Sequence, residues 1–270
     1  MNAELLSPFD LTDRVALVTG GSGGIGRASV ARLAAYGATV ALTYVEGVED
    51  PSRVLAAFPD LPVTAHALDL RDAGSIRRCV ADVARRHGRI DILVNNAAVG
   101  SATVAAVSDD PETQDSLMMA INADGTLKMC QAFLALPGGS GRKLINISSV
   151  GGGITAFPGF RLSDGMSKAA VAFLTRQLAA ETVHSDVDVF AICPGATDTP
   201  MFQASTLSKH SPESLVNFLA SLPKGRLINP DEIAGLVHFL AGPSSRVLHG
   251  AVLDASMGLG VRPGLMSEQH

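Results

Sequence analysis

The run Thr19-Gly20-Gly21-Ser22-Gly23-Gly24-Ile25-Gly26 constrains this chain more than any other stretch, because of what stands on either side of it. Before it, residues 14–19 are apolar and rich in β-branched side chains, the composition of a strand covered on both faces of a parallel sheet. After it, apolar residues recur at helical spacing from 25 to 36. Glycines at such a junction permit positive φ and let backbone amides approach a phosphate at a helix N-terminus. Strand, glycine turn and helix in that order predict a pyrophosphate cradle rather than a simple tight turn.

The alternation continues along the chain. Strands are expected at 39–43, 63–67, 90–94, 143–147, 187–193 and 251–255, and helices at 72–87, 118–136, 165–182 and 230–240. Arg77, Arg78, Arg85 and Arg86 fall on the solvent face of their helix. Residues 196–226, rich in Ser, Thr and Pro, read as a mobile lid over a site. This pattern predicts an α/β fold: one Rossmann-type, doubly wound parallel sheet of about seven strands with helices on both faces. Ligands then bind outside the carboxyl ends of the strands.

At 270 residues the chain fits one domain, 1–270, and 47% hydrophobic residues supply a sizeable core. The net charge of −5, with Lys and Arg scattered, argues against nucleic acid or an anionic membrane as partner. No apolar run reaches the roughly 20 residues that span a bilayer, and the first residues do not read as a signal peptide. Cys79, Cys130 and Cys193 lack metal-ligand spacing, so neither a disulfide framework nor a metal site is expected, and a cytoplasmic setting is.

Further landmarks accompany the glycine run: Asp69-Leu70, Asn95-Asn96-Ala97, Asn122, Asn146, Ser148-Ser149, Lys168, Pro194-Gly195, Thr197 and Thr199. Gly225-Arg226, Pro230 to Ala234 and Gly250 to Asp254 complete the set. In order and spacing, from about residue 11 to 260, these resemble the short-chain dehydrogenase/reductase family. The resemblance implies an NAD(P)(H)-dependent oxidoreductase acting on a small molecule and assembling as a homotetramer or dimer. It implies a nucleotide site made by Gly20, Ser22, Gly23, Gly24, Ile25, Gly26, Asp69, Leu70, Asn96, Ala97, Pro194 and Gly195. In it Asp69 meets the adenine edge, Thr197 and Thr199 hold the carboxamide, and Lys168 holds the nicotinamide ribose. Tyr44 stands where NAD users of the family often carry Asp, which leans toward NADP(H) over NAD(H).

The same resemblance implies a catalytic set of Asn122, Ser149 and Lys168 with a tyrosine four residues before the lysine. That position is Asp164, and Ser149 lies two residues farther upstream than usual. The only tyrosines, Tyr36 and Tyr44, belong to the nucleotide-binding half. A free Asp is protonated in about one molecule in a thousand at pH 7, a handicap of roughly 4 kcal/mol for a proton donor. Lys168 and the helix start depress its pKa further, whereas burial raises it, and the sequence leaves the winner open. Three roles follow: a counter-ion for a C=N substrate in its iminium form, an acid/base for carbonyl–alcohol chemistry, or a helix-start residue in an inactive pocket. A non-redox lyase, isomerase or cyclase that keeps the nucleotide as a structural element is the alternative enzyme class, and a nucleotide-sensing scaffold the non-catalytic one. Met201 and Phe202 are expected on the substrate wall.

Overall fold

The computed structural model describes residues 9–262. Strands β1 (Val15–Val18), β2 (Thr39–Tyr44), β3 (Val63–Ala67), β4 (Ile92–Asn95), β5 (Arg142–Ile147), β6 (Val187–Pro194) and β7 (Val252–Ala255) form one sheet. All are parallel, in the order β3-β2-β1-β4-β5-β6-β7. β1, β4, β5 and β6 are buried along their whole length; β1 is wholly apolar, while β5 and β6 also bury Lys143 and Asp188.

The helices are α1 (Gly24–Ala35), α2 (Pro51–Leu55), α3 (Ala73–His87), α4 (Ser101–Ala105), α5 (Pro111–Met119) and α6 (Thr126–Ala135), then a single turn α7 (Val150–Gly153). The series ends with α8 (Leu162–Thr182), α9 (Pro200–Ser205), α10 (Pro212–Ser221) and α11 (Pro230–Ala241). One face of the sheet is covered by α1 and α11 through Val30, Leu33, Val237 and Leu240. The other is covered by α3, α6 and α8 through Val80, Val83, Phe133 and Leu178. Because the chain winds outward in both directions from β1 and β4, the crevice between their carboxyl ends is the switch point where such sheets bind ligands.

Three sequence expectations are corrected. The helix expected over 118–136 starts earlier, at Pro111, where Asp110 caps it. It is then interrupted by a π-helical stretch, Ala120–Gly125, in which Asn122 sits. The helix expected from 165 starts at Leu162, so Asp164 occupies its first turn. The segment 196–226 is built around α9 and α10, each begun by a capping Thr199 or Ser211 and a first-position proline. Leu207, Phe218 and Leu222 give it a small apolar centre of its own. Cys79, Cys130 and Cys193 are buried free thiols, and burial pushes those of Cys79 and Cys130 up to about 12. No helix among the described residues is long and apolar enough to cross a membrane.

At the edge remote from the crevice, Lys143 and Asp188 form a buried pair across β5 and β6 at 2.6 Å, with Ser245 as a further acceptor for the ammonium at 3.2 Å. Removing one partner strands a charge in the interior. Lys143→Met is expected to lower unfolding stability by about 3–5 kcal/mol in urea titrations. The double variant Lys143→Met/Asp188→Leu should recover most of that loss.

Candidate active site

A cavity of about 990 Å³ opens at the carboxyl ends of the strands. Its floor at one end is the glycine turn, held by an interlocked set of bonds. Thr19 Oγ1 accepts from the amides of Asn96 and Ala97, both at 3.0 Å. Asn96 Nδ2 returns the tie, donating to the carbonyls of Thr19 and Gly20 at 3.0 Å. The Gly20 amide donates to Thr43 Oγ1 at 3.1 Å, which joins the turn to β2. Gly20 itself needs φ +63°, open to glycine at little cost. Gly26 lies so close that a Cβ there would meet the Gly20 carbonyl oxygen at 2.1 Å.

The N-terminus of α1 carries no side-chain cap, and nothing lies within 4 Å of where a Gly23 side chain would stand. Uncapped amides facing an open floor suit a pyrophosphate, so these residues fit the nucleotide that the sequence implies. Gly20, Ser22, Gly23, Gly24, Ile25, Asn96, Ala97, Pro194, Gly195, Thr197 and Thr199 all line the cavity. Thr197 Oγ1 donates to the Gly195 carbonyl, and Thr199 Oγ1 caps α9 through the Phe202 amide.

Four expected nucleotide residues stand back from the lining. Gly26 acts by close packing beneath the turn. Asp69 is gripped by Arg71 at 2.9 and 2.7 Å, and that bond holds its carboxyl below the usual range. Leu70 is buried against Gly125. Tyr44 closes the β2–β3 ladder, its carbonyl accepting from the Leu68 amide at 2.9 Å. Val45 and Glu49 line the cavity beyond β2 instead.

At the other end stand Ser149, Asp164 and Lys168. Ser149 Oγ accepts from the Gly151 amide at 3.2 Å, which leaves its own proton free for a ligand. Gly152, at φ +89°, lets α7 press on α8: a Cβ there would meet the Gly165 carbonyl oxygen at 2.1 Å. Serine and aspartate are thus fixed relative to each other through glycines. Lys168 Nζ approaches the Ile147 carbonyl at 3.4 Å, while Ser148 Oγ donates to the Lys168 carbonyl behind the site. Asn122 is fully buried. Its Oδ1 accepts from the Val99 amide at 2.8 Å, and its Nδ2 donates to the Val99 carbonyl and to Ser167 Oγ. It therefore fastens the wall after β4 to the helix that carries Asp164 and Lys168.

The Asp164 carboxylate makes no hydrogen bond and no ion pair with any described residue. Burial raises its pKa, against the opposing pull of Lys168 and then Arg161. Burial likewise lowers the Lys168 pKa, with Asp164 and Cys193 pulling it back. Desolvation therefore wins the contest that the sequence left open.

Sequence reasoning missed several lining residues. Phe157 and Phe160, ring centroids 6.5 Å apart, come from the Ser149–Asp164 connection and form a wall. Arg161 is locked by Asp115, Ser163 and Gln114 at 2.9, 3.1 and 2.8 Å. The two extra residues in that connection were the available signal. Met201 and Phe202 line the cavity as expected.

A family model described as enoyl-(acyl carrier protein) reductase matches residues 20–260. The chain is a short-chain dehydrogenase/reductase. It is 35% identical over 246 residues to 2-(R)-hydroxypropyl-CoM dehydrogenase of Xanthobacter autotrophicus, covering 89% of this chain and 96% of that one. It is 34% identical over 257 residues to the rhamnolipids biosynthesis 3-oxoacyl-[acyl-carrier-protein] reductase of Pseudomonas aeruginosa, covering 93% and 97%. The solved Pseudomonas aeruginosa RhlG/NADP active-site complex superposes with a TM-score of 0.80 at 31% identity, covering 93% and 98%. Homology to reductases and dehydrogenases makes this member an NAD(P)-dependent oxidoreductase.

Gly26→Ala tests the cradle of this family member. The added methyl has no room, so NADH and NADPH binding, read by nicotinamide fluorescence, should weaken by at least about tenfold.

Proposed function

We propose that the enzyme interconverts a small carbonyl compound and its alcohol, with Asp164 as the proton donor and acceptor. One observation carries this reading: a half-buried, unpartnered carboxyl of raised pKa lines the cavity in the catalytic helix, one turn before Lys168. Bound in the glycine cradle, NAD(P)(H) supplies or accepts the hydride. NADP(H) is the favoured form in this reading, supported by the solved neighbour in complex with NADP and by the absence of a carboxylate at Tyr44.

In the reductive direction the protonated Asp164 carboxyl donates its O–H to the oxygen that gains negative charge. At pH 7 an ordinary Asp loses roughly 4 kcal/mol in reaching that state, and desolvation reduces the handicap. Ser149 donates its free hydroxyl proton to the same oxygen. Lys168 lies beside the carboxyl and, by family resemblance, holds the ribose. Asn122 is a positioning residue that keeps the wall at Val99 against α8. Phe157, Phe160, Met201 and Phe202 exclude water from the reacting atoms. In the oxidative direction the Asp164 carboxylate takes the proton back.

A second reading rests on the same missing partner. A carboxylate with no cation within 4 Å among the described residues is open to a cationic nitrogen, and a C=N substrate in its iminium form needs no proton delivered to oxygen. The two readings differ in sign with pH. Acid catalysis by Asp164 makes reduction fall as pH rises through its raised pKa, and makes alcohol oxidation rise over the same interval. Electrostatic pairing with an iminium makes reduction fall as pH drops through that pKa.

Paired ketone and imine panels assayed as a function of pH separate the readings. Asp164→Asn should lower ketone reduction by about 10²-fold or more, and Asp164→Tyr should move the alkaline limb toward the tyrosine range, near ~10. Ketone turnover unchanged in Asp164→Asn overturns the acid/base assignment.

A homo-oligomer is also proposed. Leu162, Met166 and Phe173 of α8 share one face and are 82%, 60% and 66% exposed, which favours burial against another copy.

A further inference from the structure

Five residues beyond Tyr44 stands an acid, Glu49. Glu49 precedes α2 and folds back toward the end of β2, where its Oε2 accepts from the Val45 amide at 2.8 Å. That bond fixes the side chain in a loop that otherwise faces solvent, and both Glu49 and Val45 line the cavity. The next acid, Asp50, is turned the other way, its carboxyl capping α2 through the Ser52 amide and hydroxyl. Glu46 is exposed and is not part of the lining.

The charges of the cavity are unevenly shared between its ends. Its basic side chains, Arg161, Lys168 and Lys209, all belong to the end formed by α8 and the 196–226 segment. At the end formed by the glycine turn and the β2 loop, Glu49 is the one charged residue of the lining, and no Lys or Arg accompanies it. The loop after the second strand is where a Rossmann fold reads the adenosine ribose, a carboxylate there favouring a free 2′-hydroxyl and a basic group a 2′-phosphate.

We infer that Glu49 is a specificity-determining residue that handicaps a 2′-phosphorylated nucleotide relative to its 2′-hydroxyl counterpart. The inference rests on the nucleotide-binding reading of the cavity. A phosphate carrying nearly two negative charges meets a fixed carboxylate with no Lys or Arg among the described lining residues at that end, whereas a ribose hydroxyl finds an acceptor. Whatever preference the rest of the site has for NADP(H), Glu49 holds it down.

Glu49→Gln keeps an oxygen for the Val45 amide and removes only the charge. Wild type, Glu49→Gln and Glu46→Gln are titrated with NADH and with NADPH, read by nicotinamide fluorescence against a chain without tryptophan. In Glu49→Gln the ratio of the NADPH to the NADH dissociation constant should fall by about tenfold at low salt, the gap narrowing as ionic strength rises. Glu49→Lys should extend the fall, and Glu46→Gln should leave the ratio within about twofold, since an exposed distant charge is screened. Tight binding of both nucleotides with an unchanged ratio in Glu49→Gln overturns this inference and leaves the hydride-transfer reading standing. Equal shifts in Glu46→Gln and Glu49→Gln also overturn it, because a diffuse loop charge then accounts for the effect. Failure of the wild type to bind either nucleotide overturns both.

Discussion

The tie between Thr19 and the Asn96–Ala97 backbone is the constraint from which the rest of the cavity follows. It takes over where the β1–β4 ladder ends, with the Thr19 amide donating to the Val94 carbonyl at 2.9 Å, and the two chains diverge. One hydroxyl accepting two amides, and one side-chain amide donating to two carbonyls, satisfy the backbone groups that the diverging chains leave open. With the turn anchored, the amides at the start of α1 face an open floor. The wall that runs from Ala97 to Val99 is then fixed at one end by Thr19 and at the other by Asn122.

The end of the cavity that holds Ser149 and Asp164 is arranged by a different means, the close approach of backbones. Gly152 against Gly165 brings α7 onto α8 without an intervening side chain, and Ser149 and Asp164 stand on either side of that contact. Asn122 reinforces it from behind by bonding both Val99 and Ser167, from a π-helical stretch that widens the helix where its side chain turns inward. Within this frame the electrostatics of Asp164 follow from solvent exclusion. Phe157 and Phe160 line the same end of the cavity, while Lys168 and Arg161 make no bond to the Asp164 carboxylate. Desolvation therefore outweighs attraction, and the pKa of the Asp164 carboxyl is raised.

Much of this was legible in the linear chain. The buried strands are short and mostly apolar, so their composition marked them, and the glycine turn was marked by its place between strand and helix. Short elements were not legible: α2 and α4, five residues each, span too few turns to show a period. The helical character of the 196–226 segment was hidden by its Ser and Pro content, although the Pro after Thr199 and the Pro after Ser211 are helix-start signals. Arg161 and Glu49 escaped notice because an isolated charged residue in a loop reads as solvated until its neighbours are known.

The sequence by itself determined the doubly wound sheet, the glycine turn that follows β1 and the acid that stands one helical turn before Lys168, because each is written in local composition and spacing. Tertiary structure decided which way the Asp164 pKa moves, whether Asn122 faces the ligand or the wall, and which acid stands beyond β2. Those outcomes depend on desolvation and on distances between segments far apart in the chain. Such quantities come into existence only when Gly152 meets Gly165, Asn122 meets Val99, and Glu49 folds back onto the Val45 amide.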